Sequence, residues 1–223
     1  MVVKKFKKIV MVFMSLIFSG VLYAQKDVTQ FLGIPIDGSK SEMIQKLKSK
    51  GYTNSTVEDV LAGEFNGTEV LINIQTYNNK VWRIIVADAK TENESDIRIR
   101  FNNLIQQFQN NKKYISYSDS IILKYTIPED EDISSELSVH KKQYQAYFFQ
   151  KTADYDSITL EKDSLLAKQT LNDTDKKQLA MLMNKFERSK NKIVWFKIGE
   201  LSGKYSIIIF YENEYNSANG EDL

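Results

Sequence analysis

Cysteine is absent from this chain, histidine occurs once and proline twice in 223 residues. Without cysteine there is no disulfide framework, no thiol nucleophile and no thiolate-bound zinc or iron–sulfur cluster; with His140 alone, multi-histidine metal sites are excluded. A serine–histidine triad would have to use His140. An excess of either charge is also missing: 30 basic against 29 acidic side chains give no basic footprint for a phosphate backbone, which argues against nucleic acid as a partner. No glycine-rich phosphate loop, G-x-S-x-G elbow or H-E-x-x-H helix occurs, so the sequence implies no cofactor and no metal, and catalysis has no anchor in it. What is there is an ordinary globular composition, 42% hydrophobic and 26% charged, with 12 Phe and 12 Tyr to build a core.

The first 24 residues have the order of a secretory signal. Lys4, Lys5, Lys7 and Lys8 precede an apolar run from Ile9 to Tyr23, and Ala24 supplies the small residue before a cut at Gln25. Fifteen residues rise only about 22 Å as a helix against a hydrocarbon core of about 30 Å, so cleavage is favoured over a membrane anchor. The mature chain then has 26 basic and 29 acidic residues and no remaining membrane span. The expected location is the periplasm, the cell surface or the medium.

Beyond the leader, Ser39 and Glu42 form a capping box for a helix that ends at Gly51. Leu61 to Phe65, Thr68 to Tyr77 and Val81 to Asp88 read as a three-stranded meander with turns at Asn66-Gly67 and at Asn78-Asn79-Lys80. Burial chooses the second turn's length: three residues set Tyr77 opposite Val81, Ile74 opposite Ile84 and Ile72 opposite Val86. One face then carries Ile72, Ile74, Trp82, Ile84 and Val86; the other carries Asn73, Gln75, Tyr77 and Arg83, with Ile85 among them. Ser95 to Asn111 is the clearest amphipathic helix. A strand over Tyr114 to Ile127, a hairpin in which Leu137 and Val139 alternate toward Tyr144, Ala146 and Phe148 across a turn at His140 to Gln143, and an exposed excursion over Lys151 to Thr170 with one weak turn of helix should follow. A helix over Thr174 to Arg188 and a closing hairpin, Ile193 to Ile198 with Tyr205 to Tyr211, complete the order. The prediction is an α+β fold, an antiparallel meander with helices on one face. It occupies residues 25–215 as one domain, with room for a subdivision near 112–133, before a frayed tail at 216–223.

The mixed face of Asn73, Gln75, Tyr77 and Arg83 is the surface to nominate for binding. Trp82, Trp195 and Tyr147-Phe148-Phe149 are read as core rather than as a groove. His140, between lysines and with no carboxylate placed to orient it, is expected in a solvated turn. The acidic run Glu129 to Asp132 lacks the alternation and central glycine of a calcium loop. Asp119-Ser120-Ile121, Asp156-Ser157-Ile158 and Asp163-Ser164-Leu165 resemble the O-glycosylation acceptor motif of exported proteins of Bacteroides and its relatives, which would place sugar on Ser120, Ser157 or Ser164.

The stretch from Phe31 to Gly51, a Gly-Ser turn and a short helix closed by glycine, resembles the opening of uncharacterised exported proteins of gut Bacteroidetes. Extended to residue 88, it is similar to the helix-plus-meander unit of β-lactamase-inhibitor-protein-like folds. The resemblance implies a binding module and assigns no functional residue. The sequence therefore leads to a non-enzymatic, exported binding or envelope-associated protein whose partner is a protein or glycan. Two other readings stay open: a carbohydrate-active hydrolase using paired carboxylates, and a structural component of a cell-surface assembly.

Overall fold

Helix α1 (Lys40–Ser49) starts where the capping box predicts. The Ser39 hydroxyl accepts from the Glu42 amide at 3.3 Å and the Glu42 carboxylate accepts from the Ser39 amide at 3.0 Å. Met43 and Leu47, four apart on one side, are fully buried. Helix α2 (Glu94–Asn110) is capped by Asn93 and buries Ile97, Phe101, Leu104, Ile105 and Phe108, the i, i+4, i+7, i+8, i+11 stripe of an amphipathic helix. The computed structural model describes residues 27–116, 125–189 and 191–218. The leader-like segment, Ser120 and the last five residues lie outside the described residues.

Among the described residues ten strands accompany these helices. A small N-terminal turn pairs β1 (Gln30–Phe31) with β2 (Ile34–Pro35). The others are β3 (Thr53–Asn54), β4 (Val60–Phe65), β5 (Thr68–Tyr77), β6 (Lys80–Asp88), β7 (Tyr114–Ser116), β8 (Gln145–Gln150), β9 (Ile193–Leu201) and β10 (Lys204–Glu212). They form one antiparallel sheet in the order β3-β4-β5-β6-β10-β9-β8-β7. The fold is α+β, with helices packed on one face of that sheet, as the sequence pattern predicts. Three further helices lie among the described residues: α3 (Ile133–Ser138), α4 (Tyr155–Leu166) and α5 (Asp173–Ser189).

The sheet curls around α2. Phe65, at the end of β4, meets Tyr211 of β10 edge to face at 6.5 Å although β5 and β6 separate their strands. Asn66, in the β4–β5 turn, donates to Gln107 in the last turns of α2 at 2.6 Å. Close approach at Gly63 permits part of this bend: a Cβ there would lie 2.5 Å from the Tyr52 ring. One continuous core results, from Phe31 through the two helices to Tyr211. A polar tie fixes α2 along it. Arg100 donates through Nε to Asp88 at 2.8 Å and through Nη1 to Thr68 at 2.9 Å, and the nearly buried Asp88 carboxylate also accepts from the Ile207 amide at 2.9 Å.

Four expectations are corrected. The β5–β6 turn has two residues, not three: Asn78 and Asn79 both take the left-handed conformation (φ 48° and 61°) of a type I′ turn, and Tyr77 pairs with Lys80. A β-bulge then inserts Trp82 as an extra residue, which restores Ile74 opposite Ile84 and Ile72 opposite Val86. The expected apolar register thus survives a wrong turn length, but Trp82 leaves the core face. Second, Leu137 and Val139 belong to no hairpin, because Asp132 caps α3 through its carboxylate (2.8 Å to the Ser135 amide) and Ile133 is the side chain it buries. Third, the polar excursion contains a full helix, α4, which packs against α5 through Ile158, Leu165 and Leu182 as a separate small cluster. Fourth, the closing hairpin is longer than expected and turns on Ser202-Gly203 alone. Of the strand expected over Tyr114 to Ile127, Tyr114–Ser116 forms β7, Tyr125 to Ile127 lie in no strand, and 117–124 lie outside the described residues.

Replacing Asp88 by Asn keeps the volume but leaves the Arg100 guanidinium, about one quarter exposed, without its counter-ion. Equilibrium urea unfolding of D88N should show a loss of about 2–4 kcal/mol; a loss within about 0.5 kcal/mol would mean that the tie does not hold the helix to the sheet.

Candidate functional site

With α1 and α2 on the inner face, the outer face of the sheet is defined by strand alternation. Two rows of neighbours cross it. The first is Asn73, Ile85, Phe210, Trp195 and Tyr147, on β5, β6, β10, β9 and β8; the second is Gln75, Arg83 and Glu212. Tyr77 follows Gln75 by one period of β5. The four nominated residues Asn73, Gln75, Tyr77 and Arg83 therefore do share one face, set in one corner of a larger array.

That array is a continuous stack. Tyr147 lies 5.6 Å from Trp195 with planes 17° apart, and Trp195 lies 4.0 Å from Phe210 at 10°. The Arg83 guanidinium follows, 5.4 Å from the Phe210 ring centre and 4.0 Å from that of Trp82. Each aromatic pair contributes about 0.5–1.5 kcal/mol beyond burial, and each cation–π contact about 0.5–2 kcal/mol. The bulge matters here, because it brings Trp82 beside Arg83 without disturbing the inner register. Glu212 locks the row from one side: it accepts from Trp195 Nε1 at 2.9 Å and pairs with Arg83 at 2.5 Å.

Glu214 stands next to Glu212 on the 3-10 turn Glu214–Asn216. Partial burial, then the neighbouring Glu212 carboxylate hydrogen-bonded to it, raise Glu214 above the ordinary carboxylate value, with Arg83 opposing. Burial and the charge of Glu212 likewise raise the Tyr147 phenol, which stays a neutral hydroxyl at physiological pH. Glu212 and Glu214 touch each other directly. A glycoside hydrolase instead spaces its two carboxyls about 5–10 Å apart to admit the sugar bond.

The other sequence candidates fall elsewhere. His140 is exposed just beyond α3 with Nδ1 2.9 Å from Glu136, so a carboxylate does stand beside it; the helix that creates this i, i+4 contact was not anticipated. The acidic run is a turn: Asp132 caps α3, and Glu131 is bound by Lys142 and Tyr144. Burial opposes ionisation of Glu131, but those two hydrogen bonds and the Lys142 charge outweigh it and hold the carboxyl below its ordinary value. Among the described residues no three acidic or histidine side chains converge as a metal site, and no helix is long and apolar enough to cross a membrane. Ser157 and Ser164 are both exposed on α4, while Ile158 and Leu165 face α5. Their seven-residue spacing is two helical turns, which accounts for the repeated Asp-Ser-apolar pattern by amphipathic periodicity.

Sequence reasoning missed Trp195, Phe210, Tyr147, Trp82 and Glu212 as outer-face residues. Lys197, two residues after Trp195, and Gln145, two before Tyr147, carried the signal: a polar residue one period away marks the wetter side. Comparison with protein-family models, with curated proteins and with solved structures found no match to this chain.

The raised Glu214 carboxyl fixes a pH prediction. A carboxyl whose folded pKa exceeds its unfolded one costs stability when ionised; the cost is absent below the unfolded value and complete above the folded one. Glu214→Gln keeps the hydrogen bond and removes the charge. It should raise Tm at pH 7 and leave Tm unchanged at pH 3; an equal gain at both values would assign the effect to packing.

Proposed function

We propose that this is an exported, non-enzymatic binding protein that presents the outer face of its sheet, around Asn73, Gln75, Arg83, Trp195 and Tyr147, to a protein partner in the cell envelope. The observation that carries the reading is the stack itself. Tyr, Trp and Arg are the residues that anchor protein interfaces, and here they are held upright by one another, so little side-chain freedom is lost on docking. A monomer that needed only stability would gain as much from aliphatic side chains on the inner face, without placing two tryptophans and an arginine on the outer one.

Ring geometry favours protein over sugar. Sugars stack on aromatic faces, but the faces of Trp195 and Phe210 are occupied by each other and by Tyr147 and Arg83. What the row offers outward is ring edges, the Tyr147 hydroxyl and the Asn73 and Gln75 amides, a surface suited to backbone and side-chain groups of a partner. The leader-like segment supports export, and cleavage before Gln25 is part of the proposal.

Affinity capture of the tagged mature chain from its native envelope tests this when run beside two variants. Asn73→Lys changes the outer face, and Ile99→Lys changes the exposed side of α2; both are surface substitutions expected to alter stability by no more than about 0.5 kcal/mol. A partner retained by the wild type and I99K but reduced at least tenfold with N73K supports the proposal. Equal recovery with N73K, recovery of glycan without protein, or a mature chain that still begins at Met1 would refute it.

A further inference from the structure

A second site, independent of the outer face, lies on the inner side where the curled sheet meets the last turns of α2. A cavity of about 500 Å³ opens there, walled by Leu32, Phe65, Leu104, Phe108, Tyr114 and Tyr211. Its volume falls in the range of small-molecule sites, and four of its six apolar walls are aromatic. We propose that it binds an uncharged, largely apolar small molecule carrying one hydrogen-bonding group.

Leu32 is the strongest pointer. It occupies the first left-handed position (φ 54°) of the type I′ turn Leu32-Gly33, where asparagine or glycine is the relaxed choice, and it is 38% exposed. A branched apolar side chain thus sits in a strained conformation facing solvent, violating two local preferences at once. The wall it completes is a reason to keep it, because the strain places an apolar lip on the cavity.

The remaining walls are held by contacts within the protein. Tyr211 and Tyr114 hydrogen-bond through their hydroxyls, and Gln150 donates to Tyr114 at 3.2 Å while it pairs in both directions with the backbone of Gln30. Phe108 meets Tyr114 edge to face at 4.7 Å, and Phe31 supports Phe65 from behind at 5.2 Å. At the rim, Asn66 Nδ2 donates to Gln107 Oε1. With that bond made, the Asn66 amide oxygen remains as an acceptor and the Gln107 NH2 group as a donor at the same rim, one of each kind for a polar group on a ligand. Among the described residues the exposed Glu64 is the charged one along the wall and no cation lines it, so an anionic ligand is disfavoured.

The test is a fluorescence titration of the mature chain with N-phenyl-1-naphthylamine, which is uncharged, and with its sulfonate, 1-anilinonaphthalene-8-sulfonate, which shares the rings and adds a negative charge. The neutral probe should give saturable enhancement at one site per chain, and the sulfonate should bind at least about tenfold more weakly. Leu32→Asn separates function from folding: the asparagine relaxes the turn, so Tm should hold or rise while affinity for the neutral probe falls at least about fivefold. Gln107→Trp, which fills the mouth, should also abolish binding, and Asn73→Lys should leave it intact. Absence of saturable enhancement, tighter binding of the sulfonate, or unchanged affinity in the Leu32→Asn protein would overturn the proposal.

Discussion

The apolar stripe of α2 has to be covered along three turns, and an antiparallel sheet can do this only by bending around it. Ile97, Phe101, Leu104, Ile105 and Phe108 supply that demand. Phe101 meets Phe196 at 5.2 Å, and Phe108 stacks on both Phe148 and Phe196, so the C-terminal strands are committed to the helix as firmly as the meander is. The Arg100–Asp88–Ile207 tie sets where along the sheet the helix sits. Once α1 and α2 occupy the inner side, two features follow: an outer face whose aromatic row is half-buried, with Phe210 and Glu212 buried within it, and a gap where the curled β4–β5 turn meets the end of α2.

Both candidate sites follow from this one constraint. The outer face is ordered by the cross-strand row from Tyr147 to Trp82, which packs its side chains against one another. Its cation is stacked and paired in one place, with Glu212 joining Arg83 to the Trp195 indole. The cavity, by contrast, exists because the N-terminal turn supplies its lip. That turn is anchored to β8 by the Gln30–Gln150 pair and to the end of β10 through the Thr29 hydroxyl, which donates to the Glu212 carbonyl. Lys192, almost buried, adds a further anchor through Asp27 at 2.6 Å. Residues 27–36 therefore act as a strap across one end of the sheet.

Much of this architecture was legible in the residues. The capping box, the α2 stripe, the Asn66-Gly67 turn and the Ile74–Ile84 register all express short-range rules with one dominant solution. What was hidden came from competition between rules. Asn78-Asn79 satisfied the primed turn at the cost of a register slip, and a bulge at Trp82 absorbed it; sequence alone shows only that the apolar faces must agree. Asp132 as a cap outweighed the alternation of Leu137 and Val139. In α4, polar surface residues masked an apolar seam of two residues, Ile158 and Leu165. The site was half legible: alternation found Asn73, Gln75, Tyr77 and Arg83, while the aromatic half was assigned to the core because large rings are usually buried.

The central claim is that the outer face is the working surface, and hydroxyl-radical footprinting in the native envelope compared with the purified mature chain addresses it without knowledge of the partner. Tyr147, Trp195 and Trp82 should be labelled less in the envelope than in the purified chain, with Ile99 and Met181 labelled equally in both. Equal labelling of the three aromatic residues, or protection confined to Ile99 and Met181, would contradict the account.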